Sequence, residues 1–130
     1  MTWTRALLLT LAAILLASGA ACASEPEQQG DPAAGEELFN TNLEEEPGRH
    51  ACSECHSIGA SETYAPSLQT VRDNAAVRIE GVSAEDYLRE SIVDPQAHQV
   101  GSFPVPMPTV YGEILTAEQI TNLIAFILSQ

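Results

Sequence analysis

Apolar positions along this 130-residue chain form one nearly continuous run near the start and three periodic stretches further on, separated by polar segments. Residues Ala6 to Ala21 make the first run, preceded by Arg5 and ending in small residues. It is short for a membrane span, which needs about 20 apolar residues. Ser24 to Gly30 is polar, carries Pro and Gly and has no periodic apolar positions, so it reads as a flexible tether. Asp31-Pro32 then supplies an N-cap and a proline for the first helical position. Gly35, Leu38 and Phe39 share a face of the helix predicted to run to about Asn42. Thr41 to Arg49 is acidic and contains Pro47 and Gly48, which predicts a loop.

A second helix is predicted from Ser83 as N-cap, with Asp86 in a capping-box position. Its apolar face is Tyr87, Leu88 and Ile92, with Ser91 alongside, and Pro95 ends it. The last helix has the strongest pattern. Thr116 caps it with Gln119 at the box position, and Ile120, Leu123, Ile124 and Ile127 recur at helical spacing. Phe126 and Leu128 widen that face. No stretch alternates long enough for a strand, and Val77 to Ile79 is too short to decide. The pattern predicts an all-α chain.

The start of the chain has the layout of an export signal over residues 1–21: a basic residue, an apolar run, then small residues. Cys22 follows Ser18-Gly19-Ala20-Ala21, which resembles a bacterial lipoprotein signal, although Gly19 stands where that motif usually has Leu. In that reading Cys22 is lipidated and becomes the new N-terminus. Ordinary cleavage after Ala21 or Ala23, or an uncleaved N-terminal anchor, are the alternatives. The expected division is a signal over 1–21, a tether over 22–30 and a single domain over 31–130. Removing the signal leaves roughly 105–110 residues, enough for one small domain.

Composition narrows the partners. Five basic residues, all Arg, stand against eighteen acidic ones. Such a chain cannot neutralise phosphates, which excludes nucleic acid. It suits a partner with a basic docking face, with association slowed by salt. Solubility alone would also explain the charge.

The chemistry lies in Cys52-Ser53-Glu54-Cys55-His56. A C-x-x-C-H run is the signature of haem c attachment. Two thiols two residues apart can reach both vinyl groups on one haem edge and form thioethers. The next residue, His56, is then delivered beneath the ring, where a neutral imidazole can bind iron. A dithiol redox site is the first alternative, but it is expected near a βαβ pattern that this chain lacks. A zinc site needs four ligands, and no second cysteine pair exists.

A sixth ligand is expected downstream. Met107 lies between Pro106 and Pro108, where helix is disfavoured and backbone donors are missing. A stiff extended loop presenting one thioether suits a haem iron, and His/Met ligation suits electron transfer. A methionine packed for filling is the plainer reading. His50, too close to Cys52 to cross easily, and His98, in the loop after Pro95, are competitors. Few large aromatics are available for a core, so a haem is expected to be the centre around which three or four helices pack.

From about Asp31 to Gln130 the chain resembles the class I cytochrome c family. The matching pieces are Gly35-x-x-Leu38-Phe39, the motif at Cys52 to His56, Ala65-Pro66-Ser67-Leu68, Met107 and the closing helix with Phe126. The resemblance implies the class I cytochrome c fold and one covalent haem c, with His56 as proximal and Met107 as distal iron ligand. It also implies that the Pro66 carbonyl fixes the His56 tautomer, and that Gly35 and Phe39 meet the last helix near Phe126. Tyr87 to Pro95 followed by Met107-Pro108 is similar to cytochrome c domains fused to terminal oxidase subunits and to small cytochromes of respiratory complexes. Ala65 stands where the family often has Gly. The lack of Lys argues against docking on an acidic oxidase face. Arg72 and Arg89 are candidates to pair with the haem propionates.

The expected function is one-electron transfer outside the cytoplasmic membrane, as a shuttle or as a subunit of a respiratory complex, and not catalysis. A haem sensor or haem enzyme with a displaceable sixth ligand is the alternative, and a thiol oxidoreductase using Cys52 and Cys55 is a third class.

Overall fold

The computed structural model describes residues 29–43 and 50–130. The expected signal, Cys22, most of the tether and residues 44–49 of the acidic loop lie outside the described residues. Five α-helices and one 3-10 turn follow in order, and no strand occurs among the described residues.

Helix α1 spans Pro32–Asn40. It starts where the Asp31 carboxylate accepts the amides of Ala33 at 2.9 Å and Ala34 at 3.3 Å, with Pro32 in the first turn. The 3-10 turn Cys52–Glu54 follows. Helix α2, Leu68–Ala75, is capped by the fully buried Ser67, whose hydroxyl accepts the Thr70 amide at 3.1 Å. Helix α3 spans Ala84–Val93 and α4 is the single turn Tyr111–Ile114. Helix α5, Ala117–Leu128, carries a complete capping box. Thr116 Oγ1 accepts the Gln119 amide at 3.2 Å, and Gln119 Oε1 accepts the Thr116 amide at 2.9 Å.

The predicted cap of α3 forms only in part. Ser83 accepts the Asp86 amide at 3.1 Å, but Asp86 Oδ2 takes the Ser83 hydroxyl at 2.8 Å instead of the Ser83 amide. Asp is one methylene shorter than the Glu of a full box, so it stops at the side chain. Val77 to Ile79 falls in turns between α2 and α3.

Helix α5 organises the core. Ile120, Leu123, Ile124, Phe126 and Ile127 are buried on it, against Phe39 of α1, Leu68 and Ala75 of α2, Tyr87, Leu88 and Ile92 of α3, and Tyr111 of α4. The crossing with α1 depends on Gly35: a Cβ there would lie 2.1 Å from the Asn122 carbonyl oxygen and 2.8 Å from Phe126 Cβ. That close approach brings the Phe39 and Phe126 rings to 5.3 Å between centroids, tilted by 50°. Asn122 Oδ1 also accepts the Asp31 amide at 2.8 Å, so one α5 residue receives the start of α1. Arg89 reaches from α3 to α5 and donates to Thr121 Oγ1 at 3.1 Å.

Candidate haem site

The Cys52-x-x-Cys55-His56 segment is folded by short local bonds. The amides of Cys55 and His56 both donate to the Cys52 carbonyl, at 3.2 and 2.9 Å. Glu54 closes the turn from its other end, its Oε1 accepting the Ala51 amide at 3.0 Å. Oε2 of the same carboxylate meets His50 Nδ1 at 3.1 Å. The turn leaves the two thiols in different settings: Cys52 is half-buried against the apolar cluster, and Cys55 is exposed. Both are free. Burial pushes the Cys52 thiol up to about 11, with its own backbone hydrogen bond offsetting part of the rise. A thiol so held is protonated at neutral pH.

His56 is half-buried, and its Nδ1 lies 2.8 Å from the Pro66 carbonyl oxygen. Nδ1–H donates there, so the Nε2 lone pair is left free. Burial pulls the imidazole below its ordinary value, and the Pro66 bond offsets part of that fall. The result is a neutral imidazole, the form that ligates a metal.

Pro66 is held in place by its neighbours. The Leu68 amide donates to the Ser57 carbonyl at 2.8 Å, tying the residue after His56 to the start of α2. Glu62 Oε1 accepts the Ser67 amide at 3.2 Å. Hydrogen bonds from Thr70 and Ser67 hold the Glu62 carboxyl below the usual carboxylate range.

Met107 is half-buried and packs on the same apolar cluster that Cys52 touches, although 55 positions separate them. Gln96 Nε2 donates to its carbonyl at 3.0 Å. The competing histidines are turned to carboxylates: the exposed His98 meets Glu90 Oε2 at 3.0 Å, and His50 meets Glu54. Arg72 is paired with Asp73 at 2.7 Å and Arg89 is used between α3 and α5, so neither guanidinium is free of a protein partner. No group of three or more His, Cys, Asp or Glu side chains is gathered among the described residues, so the ligand set of a zinc site is not assembled.

These residues fit a haem. Two thiols are carried on one turn, an imidazole with a fixed tautomer follows them, and a thioether packs on the core cluster that Cys52 also meets. The sequence singled out each of these but missed four residues that hold them: Glu54, Glu62, Gln96 and Tyr111. Only Glu54, three residues after Ala51 and inside the motif, carried a local signal.

A family model for cytochrome c matches residues 32–130. The chain therefore belongs to the cytochrome c family, and its all-helical architecture is that of a class I c-type cytochrome. No curated protein matches the chain closely enough to count as a relative. Members of this family bind haem c covalently through a C-x-x-C-H motif, which Cys52, Cys55 and His56 supply, and take part in electron transfer with redox partner proteins.

Proposed function

We propose that this protein is an exported one-electron carrier with His56 and Met107 as the axial ligands of its haem iron. The observation that carries the reading is the pair His56–Pro66 at 2.8 Å, which directs the free Nε2 of a neutral imidazole away from the Pro66 carbonyl. Met107, half-buried against the same core cluster that Cys52 packs on, supports the second ligand. When bound, the haem supplies an iron couple that takes up and returns one electron, and this ligand pair raises its potential.

The chain's own residues do the rest. Cys52 and Cys55 fix one edge covalently, and the exposure of Cys55 makes that edge the place where electrons enter and leave. Pro66 keeps the His56 ring oriented. The apolar cluster excludes water from the ligand side.

The wider arrangement belongs to the same proposal. Residues 1–21 act as an export signal, Cys22 carries lipid, and residues 22–30 tether the domain at the outer face of the membrane. The full chain has net charge −13, made more negative by loss of Arg5 with the signal, and such an acidic carrier seeks a basic docking face on its redox partner. It works as a shuttle, or as a subunit of a respiratory complex, and is not itself an enzyme.

The test is the absorption spectrum, oxidised and reduced, of wild type and Met107→Ala made with a haem-attachment system. A low-spin c-type spectrum that turns high-spin in Met107→Ala supports the proposal. An unchanged spectrum in the variant, or carbon monoxide binding to the ferrous wild type at neutral pH, favours a displaceable sixth position and a sensing or enzymatic role.

A further inference from the structure

The Met107 segment has little of its own to hold it. Among the described residues, no backbone amide between His98 and Val110 donates to a backbone carbonyl, and Pro104, Pro106 and Pro108 have no amide hydrogen to give. A thioether that must stay at fixed position therefore depends on side chains for its placement. Two bonds supply it. Gln96 Nε2 donates to the Met107 carbonyl at 3.0 Å. Four residues beyond Met107, Tyr111 donates its hydroxyl to the His50 carbonyl at 2.8 Å, across 61 positions of sequence.

The second bond is the stronger of the two by its setting. Tyr111 is 4 % exposed, whereas Gln96 lies at the surface. Burial pushes the Tyr111 phenol above its ordinary value, so its proton remains available to the His50 carbonyl. The helix that carries Tyr111 is seated too: a Cβ on Gly112 would lie 2.8 Å from the Val93 carbonyl oxygen, so α4 rests directly on the end of α3. His50 is two residues before Cys52. The bond thus joins the Met107 side of the site to the cysteine side.

We infer that Tyr111 is a positioning residue for Met107, its hydroxyl clamping the sixth-ligand segment to the entry of the haem-binding motif, with Gln96 as the weaker second tie. This rests on the reading of Met107 as an iron ligand. The segment must let go of His50 before the thioether can swing away, so the clamp sets how readily an outside ligand replaces Met107. A tyrosine that served only to fill the core would give the same exchange behaviour when replaced by phenylalanine.

The experiment is titration of the ferric holoprotein with imidazole, followed by absorption, for wild type, Tyr111→Phe, Gln96→Ala and Met107→Ala. Tyr111→Phe keeps the buried ring, and Gln96→Ala changes an exposed position, so both are expected to fold. One lost hydrogen bond corresponds to an affinity for imidazole raised about five- to tenfold in Tyr111→Phe and about twofold in Gln96→Ala. If both variants bind imidazole as wild type does, while Met107→Ala has lost its thioether spectrum, the clamp is wrong and the ligand assignment stands. If Met107→Ala keeps the wild-type spectrum, the ligand assignment itself fails and the clamp falls with it.

Discussion

The carbonyl of Pro66 takes the Nδ1 proton of His56 at 2.8 Å, joining the residue after the second cysteine to the chain just ahead of α2. Proline contributes only an acceptor, so this carbonyl points at the ring without competition from its own amide. Its position depends on the start of α2, where Ser67 is wholly buried and caps the helix through the Thr70 amide.

Ser67→Ala removes that cap and leaves the Thr70 amide without its acceptor. The expected loss is about 1–2 kcal/mol in chemical denaturation of the holoprotein. A variant as stable as wild type would show that Ser67 does not hold this end of α2.

Glu62 gives a pH dependence. Its carboxyl is held below its ordinary value of 4.5 by hydrogen bonds from Thr70 and Ser67. A depressed carboxyl stabilises the fold above its unfolded value, and that contribution is lost as pH falls through the folded value. The stability gap between wild type and Glu62→Gln should be largest above pH 4.5 and close on acidification. Thermal unfolding of both proteins from neutral to acid pH measures it. A gap constant over that range would place the effect elsewhere.

At the α1–α5 crossing, Gly35→Ala would set a methyl group 2.1 Å from the Asn122 carbonyl oxygen. Backbone occupies the space, so the helices must part, and the Phe39–Phe126 contact goes with them. The expected cost is about 1–3 kcal/mol, read from the denaturant midpoint. Glu36→Ala, on the exposed neighbour, serves as the control and should change little.

Helices α1, α3 and α5 were legible because each combines a cap residue with apolar spacing that continues for more than one turn. Their ends fell within about two residues of expectation. Helix α2 carries the same kind of signal in Ser67, Leu68, Val71 and Ala75, but five polar residues between them dilute it to a single apolar edge. Helix α4 is one turn with no side-chain cap, and nothing local announces it. The motif residues and Met107 could be read because haem chemistry fixes their types and spacing. Tyr111 and Gln96 could not, since their partners are carbonyls 61 and 11 positions away that any residue could supply. Arg72 bonds Asp73 and Arg89 bonds Thr121, partners that charge counting cannot foresee.

The most direct test of the account is a spectroelectrochemical titration of the purified holoprotein. One reversible one-electron wave, accompanied by conversion between low-spin ferric and ferrous c-type spectra, is the predicted result. A two-electron wave with no visible absorption change would instead report a Cys52/Cys55 dithiol couple, and would contradict the haem assignment and the electron-carrier function together.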